Sequence, residues 1–388
     1  MVGGHVAALP ERTLADEACD FVASDEGLHA IVDLLGALKG AAQPDLSRVR
    51  GLVYRSTRGA IRNQAAPLVK DLDTEMSGIA WDLLPMKAYR AHNWHCFGNL
   101  EREPYAAMYT TLGCPYRCSF CCIQAPFKAG EQMMGLPSDA NSYRFWSAAR
   151  VIAEIDVLVT RYGVRNVKFA DEMFVLNQRH VIAICDLIIE RGYNLNIWAY
   201  ARVDTVKASM LDKLKRAGFN WLALGIEAAD DHVLTDVDKR YRIDEVYDTV
   251  GRIKNAGINV IGNYIFGLPE DTNETMNRTL DLALDLNCEF ANFYSAMAYP
   301  GSPLYEEALR RGWPLPDAWS GYSQHSVDTL PLPTRHIPAS DVLRFRDRAF
   351  ETYFTHEPYL RMVQNKFGDS TVQHIREMSA HKLERKFA

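Results

Sequence analysis

The stretch CPYRCSFCC, residues 114–122, holds four of the chain's eight cysteines. Cys114, Cys118 and Cys121 follow a C-x3-C-x2-C spacing, and Cys122 sits beside the last of them. Thiolates are ligands for soft and borderline metals. A structural zinc site takes four protein ligands, and this loop offers three at ligand spacing. Adjacent side chains diverge, so Cys122 is poorly placed as the fourth. Cys96, His92 and His95, upstream, are candidates for a fourth zinc ligand. The other reading of three thiolates is an iron–sulfur cluster with one iron left open. An open iron is useful only where a further molecule binds it.

The elements that must position this loop are legible from residue 105 onward. Six short apolar runs, YAAMYTTLG, NVKFADE, NLNIWAYAR, NWLALGIEA, INVIGNYIFG and FANFYSAMAYPG, read as strands. Helical patterns separate them. Val151, Ile155, Leu158 and Tyr162 share one helix face, and further helices are expected near 178–191, 206–217, 244–256 and 272–286. Gly163, Gly192, Gly218 and Gly257 stand where helix gives way to strand, the place for a left-handed cap. Asp271 and Glu274 read as N-cap and N3 of a capping box. Strands alternating with helices imply a parallel sheet, either doubly wound or a partial barrel. In both, chemistry belongs at the carboxyl ends of the strands. The cysteine loop follows the first strand; Asp171 and Glu172 end the second, Arg202 the third, Glu227 the fourth and GLPED the fifth.

The cysteine spacing, with Phe120 before the last cysteine and a strand ahead of the loop, resembles the radical SAM superfamily. That resemblance implies that Cys114, Cys118 and Cys121 hold a 4Fe–4S cluster. S-adenosylmethionine (SAM) would chelate the open iron and be cleaved reductively to a 5′-deoxyadenosyl radical. Ala170-Asp171-Glu172 stands where the family usually has Gly-Gly-Glu, and these acids would receive the SAM ammonium. Arg202 is placed for the SAM carboxylate and Glu227 for the ribose hydroxyls. NYIFGLPE resembles the adenine motif G-x-I-x-G-x-x-E, with Ile265, Gly267 and Glu270 matching and Asn263 standing for a glycine. YPGSPLY, 299–305, resembles the turn after the sixth strand. Each residue also has a structural reading: Arg202 could pair with Asp204 or Asp171, Glu227 could be salt-bridged, and Asp171 and Glu172 could cap a helix.

The flanks are different in kind. VGGHVAALPERTL and CDFVASDEGLHAIVDLL resemble the second half of the cobalamin-binding domain that precedes many radical SAM cores. The stretch reads as a strand end, a helix, a short strand, a turn and a helix, and lacks about four further βα elements of such a sheet. The expectation is a fragment, a misassigned start or a decayed domain, with cobalamin bound only in a full-length form. GLVYRSTRGAIRNQ reads as a hairpin. After residue 313 comes a Pro- and aromatic-rich loop, then a helix near 339–355 with Val342, Phe345, Ala349 and Tyr353 on one face. FRDRAFETYFTHEPYLRMVQNKFG resembles the helical tail of the same enzymes.

The chain has 388 residues, a net charge of −6 and a pI near 6.0. No broad basic field points to nucleic acid. No apolar run is long enough to span a membrane, and the start lacks the features of a signal peptide. The cytoplasm is therefore expected, with reduced thiols. The expected fold is α/β: a partial (β/α)6 barrel over 105–312, an incomplete Rossmann-like domain over 1–85, a linker over 86–104 and a helical extension over 313–388. The resemblance implies a radical SAM enzyme, foremost a cobalamin-dependent C-methyltransferase acting on a small molecule. It implies a reductant such as flavodoxin or ferredoxin. A radical SAM cyclase or oxidoreductase without methyl transfer is the alternative, and a non-catalytic zinc-binding module the remote one. Trp198, Tyr200, Tyr264, Tyr294 and His325 could line the cavity. None of these is assigned a catalytic role.

Overall fold

All six apolar runs become parallel strands: β1 (Tyr105–Met108), β2 (Asn166–Phe169), β3 (Asn196–Arg202), β4 (Phe219–Glu227), β5 (Asn259–Phe266) and β6 (Phe290–Ser295). They lie side by side in chain order, β1 to β6, as a curled half-barrel sheet. The structure is a computed structural model and describes residues 1–39 and 43–388. Residues 40–42, inside the stretch read as an incomplete Rossmann-like domain over 1–85, lie outside the described residues. The chain divides into two compact units. One comprises Met76–Thr111, Phe145–Met297 and Pro314–Ala388; the other comprises Met1–Glu75, Leu112–Arg144 and Ala298–Trp313.

In the larger unit, helices α1 (Ala148–Tyr162), α2 (Gln178–Arg191), α3 (Ala208–Arg216), α4 (Ile243–Asn255) and α5 (Asn273–Leu286) alternate with the strands. Each buries an apolar stripe, in α1 Val151, Ile152, Ile155 and Leu158. Strand residues alternate between faces. In β2, Val167 and Phe169 are fully buried, and Phe169 packs edge-on against Phe174 and Phe219. Lys168, between them, points the other way. Gly163 and Gly192 cap α1 and α2 in the left-handed region, φ 66° and 65°.

The cap of α5 differs from expectation. Thr272 is the N-cap, and it exchanges hydrogen bonds with Thr275 at N3. Asp271 instead turns inward, where its carboxylate accepts from the amides of Gly267 (2.9 Å) and Leu268 (3.0 Å). Closing the GLPED turn uses up that carboxylate, so capping falls to the next residue. Glu274 is exposed.

The C-terminal helices are α6 (Ala339–Thr355), α7 (Glu357–Phe367) and α8 (Asp369–Ala380). Val342, Phe345, Ala349 and Tyr353 are all buried, as their spacing predicts. Tyr353 donates to the Cys288 carbonyl (2.6 Å), and Lys366 pairs with Glu289 (2.7 Å). Glu289 also accepts from the Val260 amide (2.8 Å), so the tail is tied to the sheet through one buried carboxylate.

In the smaller unit, helices Gly4–Ala8 and Pro10–Asp16 precede strand Phe21–Ala23 and helix Leu28–Leu38. The expected hairpin is present as Leu52–Ser56 and Gly59–Arg62, and its first strand pairs antiparallel with Phe21–Ala23. The strand end expected at the start is one residue long. Met1 donates to the Phe21 carbonyl and accepts from the Ala23 amide, in the parallel manner. Val6, Leu14, Val22 and Val53 form the local core.

Gly267 has φ 82°, and a Cβ there would lie 2.4 Å from Cγ1 of Val342 on α6. A left-handed alanine and an overpacked contact each cost about 1 kcal/mol or more. Gly267→Ala is therefore expected to lose about 2–4 kcal/mol in urea unfolding. Val342→Ala should cost less in that background than alone, because it removes the clashing methyls.

Candidate active site

The cysteine loop belongs to the smaller unit and is held from below by a buried polar group. The Cys114 amide donates to Oε1 of Gln124 (3.1 Å). Gln124 in turn donates to Glu131 (2.5 Å) and to Oγ of Ser142 (3.2 Å). Gly113, φ 83°, lets the backbone pass Ser142, whose carbonyl oxygen would lie 2.3 Å from a Cβ. Within the loop the Cys121 amide donates to the Cys118 carbonyl (3.0 Å), and the Leu304 amide donates to the Ser119 carbonyl (2.9 Å). The YPGSPLY turn thus packs on the loop that carries the thiols. Gly301 allows this approach: a Cβ there would lie 2.5 Å from that of Ala125.

All four loop cysteines are free thiols. Surrounding protein pushes the Cys121 thiol up to about 12, and the neighbouring thiols of Cys122, Cys118 and Cys114 add to this. The residue nevertheless keeps open surface. Three thiols on one loop, two half-buried and one exposed, have the chemistry of the donor set an iron–sulfur cluster requires, and binding would displace their protons. Among the described residues no three ligating side chains converge closely enough to hold a single ion. Phe120 is half-buried in the same loop.

The strand-end residues belong to the larger unit. Asp171 is fully buried. Its Oδ1 accepts from the Thr110 amide (2.8 Å), from the Thr110 hydroxyl (3.0 Å) and from the Thr111 amide. Among the described residues its Oδ2 is buried without a partner, and so is Oε2 of Glu172. Burial pushes Asp171 up to about 6, against the pull of its hydrogen bonds. Burial pushes Glu172 up to about 7, helped by the charge of Asp171 and opposed by Lys168. Two adjacent acids with unspent buried oxygens are suited to a cationic ligand.

Arg202 and Glu227 have protein partners. Arg202 forks onto Asp204, Nε to Oδ1 at 3.0 Å and Nη2 to Oδ2 at 3.2 Å. Glu227 pairs with Lys239, both buried. Its backbone is left-handed, φ 61°, an uncommon state for a residue with a side chain. Gly225 makes room for the pair: a Cβ there would lie 2.5 Å from Oε1 of Glu227 and 2.8 Å from Nζ of Lys239. Asn263 donates to the Leu224 carbonyl (3.1 Å) and accepts from Asn292 (2.9 Å), spanning three strands. Ile265 is half-buried and Gly267 forms the turn closed by Asp271. Glu270 pairs with Arg335.

A cavity of about 540 Å³ lies in the same unit, walled in part by Lys168, Trp198, Tyr200, Tyr294, His325 and Arg346. Of the aromatic residues expected to line it, Tyr264 does not; it is fully buried and stacked on Phe293. Lys239 and Lys168 escaped the sequence reading, and Asp271 was read there as a helix cap. Lys239 belongs to no motif, and Lys168 shows only as a charge inside an apolar strand run.

Residues 108–283 match the family model of the radical SAM superfamily. The chain carries a radical SAM domain over that stretch, a little under half of its length, and the match supports an enzyme. The domain implies a 4Fe–4S cluster and SAM. The chain is similar to an "uncharacterized methyltransferase" of Pyrococcus horikoshii, 28% identical over 91% of this chain and 72% of that protein. It is 28% identical to the anaerobic magnesium-protoporphyrin IX monomethyl ester cyclase of Cereibacter sphaeroides, over 79% of this chain and 48% of that one. Among solved structures it superposes with a TM-score of 0.61 on TsrM from Kitasatospora setae, a radical SAM methyltransferase with cobalamin and a 4Fe–4S cluster bound. That match is 19% identical, covers 80% of this chain and 57% of the other, and establishes likeness of fold. The chain spans about half the length of the cyclase and of TsrM. No helix among the described residues is long and apolar enough to cross a membrane.

Asp171 and Glu172 hold a proton more tightly folded than unfolded. Their contribution to stability is therefore complete below pH of about 4 and is lost as pH rises through about 6 for Asp171 and about 7 for Glu172. The shift on Asp171, about 2 units, corresponds to ~3 kcal/mol. Asp171→Asn should flatten this loss of stability across the window, measured by urea unfolding of cluster-free protein at several pH values. An unchanged slope would show that the carboxylate is solvated.

Proposed function

We propose that the chain cleaves SAM reductively and serves a cobalamin-dependent C-methylation of a small molecule. One observation carries the methyl-transfer part: the similarity to a protein named a methyltransferase runs over 91% of this chain. When bound, the cluster supplies the electron, SAM the radical that takes a hydrogen atom, and cobalamin the methyl group. The chain's own contribution is to hold, aim and exclude water.

In this reading Cys114, Cys118 and Cys121 hold the cluster. Asp171 and Glu172 supply the unspent oxygens of a buried site for the SAM ammonium. Arg202 turns toward the SAM carboxylate while Asp204 keeps its fork oriented. Glu227, fixed by Lys239, accepts from the ribose, and Asn263, Ile265 and Gly267 flank the adenine, with Phe120 beside the cluster. A reductant such as flavodoxin or ferredoxin delivers the electron. Radical SAM chemistry without methyl transfer is the second reading, supported by the likeness to the cyclase over 79% of this chain.

The test is 5′-deoxyadenosine, measured by mass spectrometry after anaerobic reconstitution with iron and sulfide, with SAM and a strong reductant. Wild-type protein should form it and Cys118→Ala should fall to background. Cluster-loaded protein that forms none would refute the reading. With cobalamin and deuteromethyl-SAM, label retained in a product supports methyl transfer; turnover without label transfer favours the second reading.

A further inference from the structure

Lys168 lies on the cavity side of β2, opposite Trp198 in the parallel register with β3. Its ammonium stands 4.7 Å from the ring centroid of Trp198 and 5.4 Å from that of Tyr200. Among the described residues it has no ion pair and no hydrogen bond. The lysine and arginine that share the lining are both spent: Arg346 pairs with Asp347 (2.8 Å), and Lys382 pairs with Glu351. Two of the lining histidines, His92 and His325, are pushed toward the neutral form, chiefly by burial. Of the lysines and arginine that line the cavity, Lys168 is the one with no ion pair among the described residues. Its ring contacts satisfy the charge from one side only and leave three N–H donors without an acceptor.

We infer that this cavity binds a planar conjugated molecule carrying a carboxylate, with the carboxylate on Lys168 and the ring system against Trp198 and Tyr200. A volume of about 540 Å³ suits a small organic ligand. Lysine presents a compact point charge with rotatable donors, able to meet a carboxylate without the fixed fork of arginine. The aromatic walls favour flat ligands over saturated ones of equal charge. Lys168 also feels Glu172, the strand-end acid assigned to SAM. A ligand held on Lys168 would thus lie in the same electrostatic neighbourhood. The inference takes this ligand to be the substrate, and in that respect rests on the enzymatic reading above.

The test is equilibrium binding, read by tryptophan fluorescence on the anaerobically reconstituted full chain. The probes are 1-naphthoate and 1-pyrenecarboxylate, with 1-naphthamide and cyclohexanecarboxylate as neutral and non-planar controls. At least one planar acid should bind tenfold or more tighter than both controls. Lys168→Gln should remove that preference, and Lys168→Arg should keep most of it. Acids no tighter than the amide, or a preference unchanged in Lys168→Gln, would overturn the inference. Thermal unfolding of each variant shows whether a loss is local. The formation of 5′-deoxyadenosine from SAM is scored separately: binding through Lys168 with no SAM cleavage leaves this site standing and sinks the enzymatic reading, and the reverse sinks this site alone.

Discussion

The carboxylate of Asp171 is the contact on which the strand-end chemistry depends. It is buried and raised, an arrangement that costs stability unless its oxygens find donors. One oxygen takes three, all from Thr110 and Thr111, the residues that lead from the first strand toward the cysteine loop. His180, on the helix after Asp171, adds a further bond to the Thr110 hydroxyl at 3.2 Å. The exit of β1 is thereby fixed by β2 and its following helix. The second oxygen is left buried and unspent. In the proposed reading, this acceptor and the one on Glu172 are those offered to the SAM ammonium.

The parallel register governs what else can reach this edge. Residues two apart share a face, so Lys168, Trp198 and Tyr200 fall on the cavity side while Val167, Phe169 and Ile197 are buried against the helices. A slip of one residue in β2 would exchange Lys168 for Val167 and drive an ammonium into an aromatic core. The buried stack of Phe169, Phe174 and Phe219 excludes that alternative. Packing on the outer face therefore specifies chemistry on the inner one.

How far this was legible from sequence depended on the range of the interaction. The six strands and five alternating helices follow from local periodicity, and their bounds agree with it within a few residues. Gly163 and Gly192 follow from local cap chemistry. Asp271 misled because its competing partners, the amides of Gly267 and Leu268, arise only when the turn closes. Lys239 was invisible because it meets Glu227 through the fold and through a left-handed backbone at residue 227. Lys168 was visible as a charge, but only the register with Trp198 shows that it stands against rings. The antiparallel pairing of the short N-terminal strand with the hairpin likewise required the structure, since strand direction is not written in a three-residue run.

The two strand-end ion pairs also bear on how substitutions here should be read. Arg202 with Asp204 and Glu227 with Lys239 are close, buried or half-buried pairs. Removing one partner of a buried pair leaves the other charged and unpaired, and that penalty exceeds the pair's own net worth. Loss of function in Glu227→Ala would therefore mix a missing ligand contact with a stranded Lys239. The double replacement Glu227→Gln with Lys239→Met keeps volume and removes both charges. If Glu227 only fixes the local backbone, this pair of changes should fold and still bind SAM as the wild type does. If the carboxylate meets the ribose, SAM affinity should fall about tenfold, the loss of a charged hydrogen bond of about 1.5 kcal/mol, while the urea midpoint stays near that of the wild type.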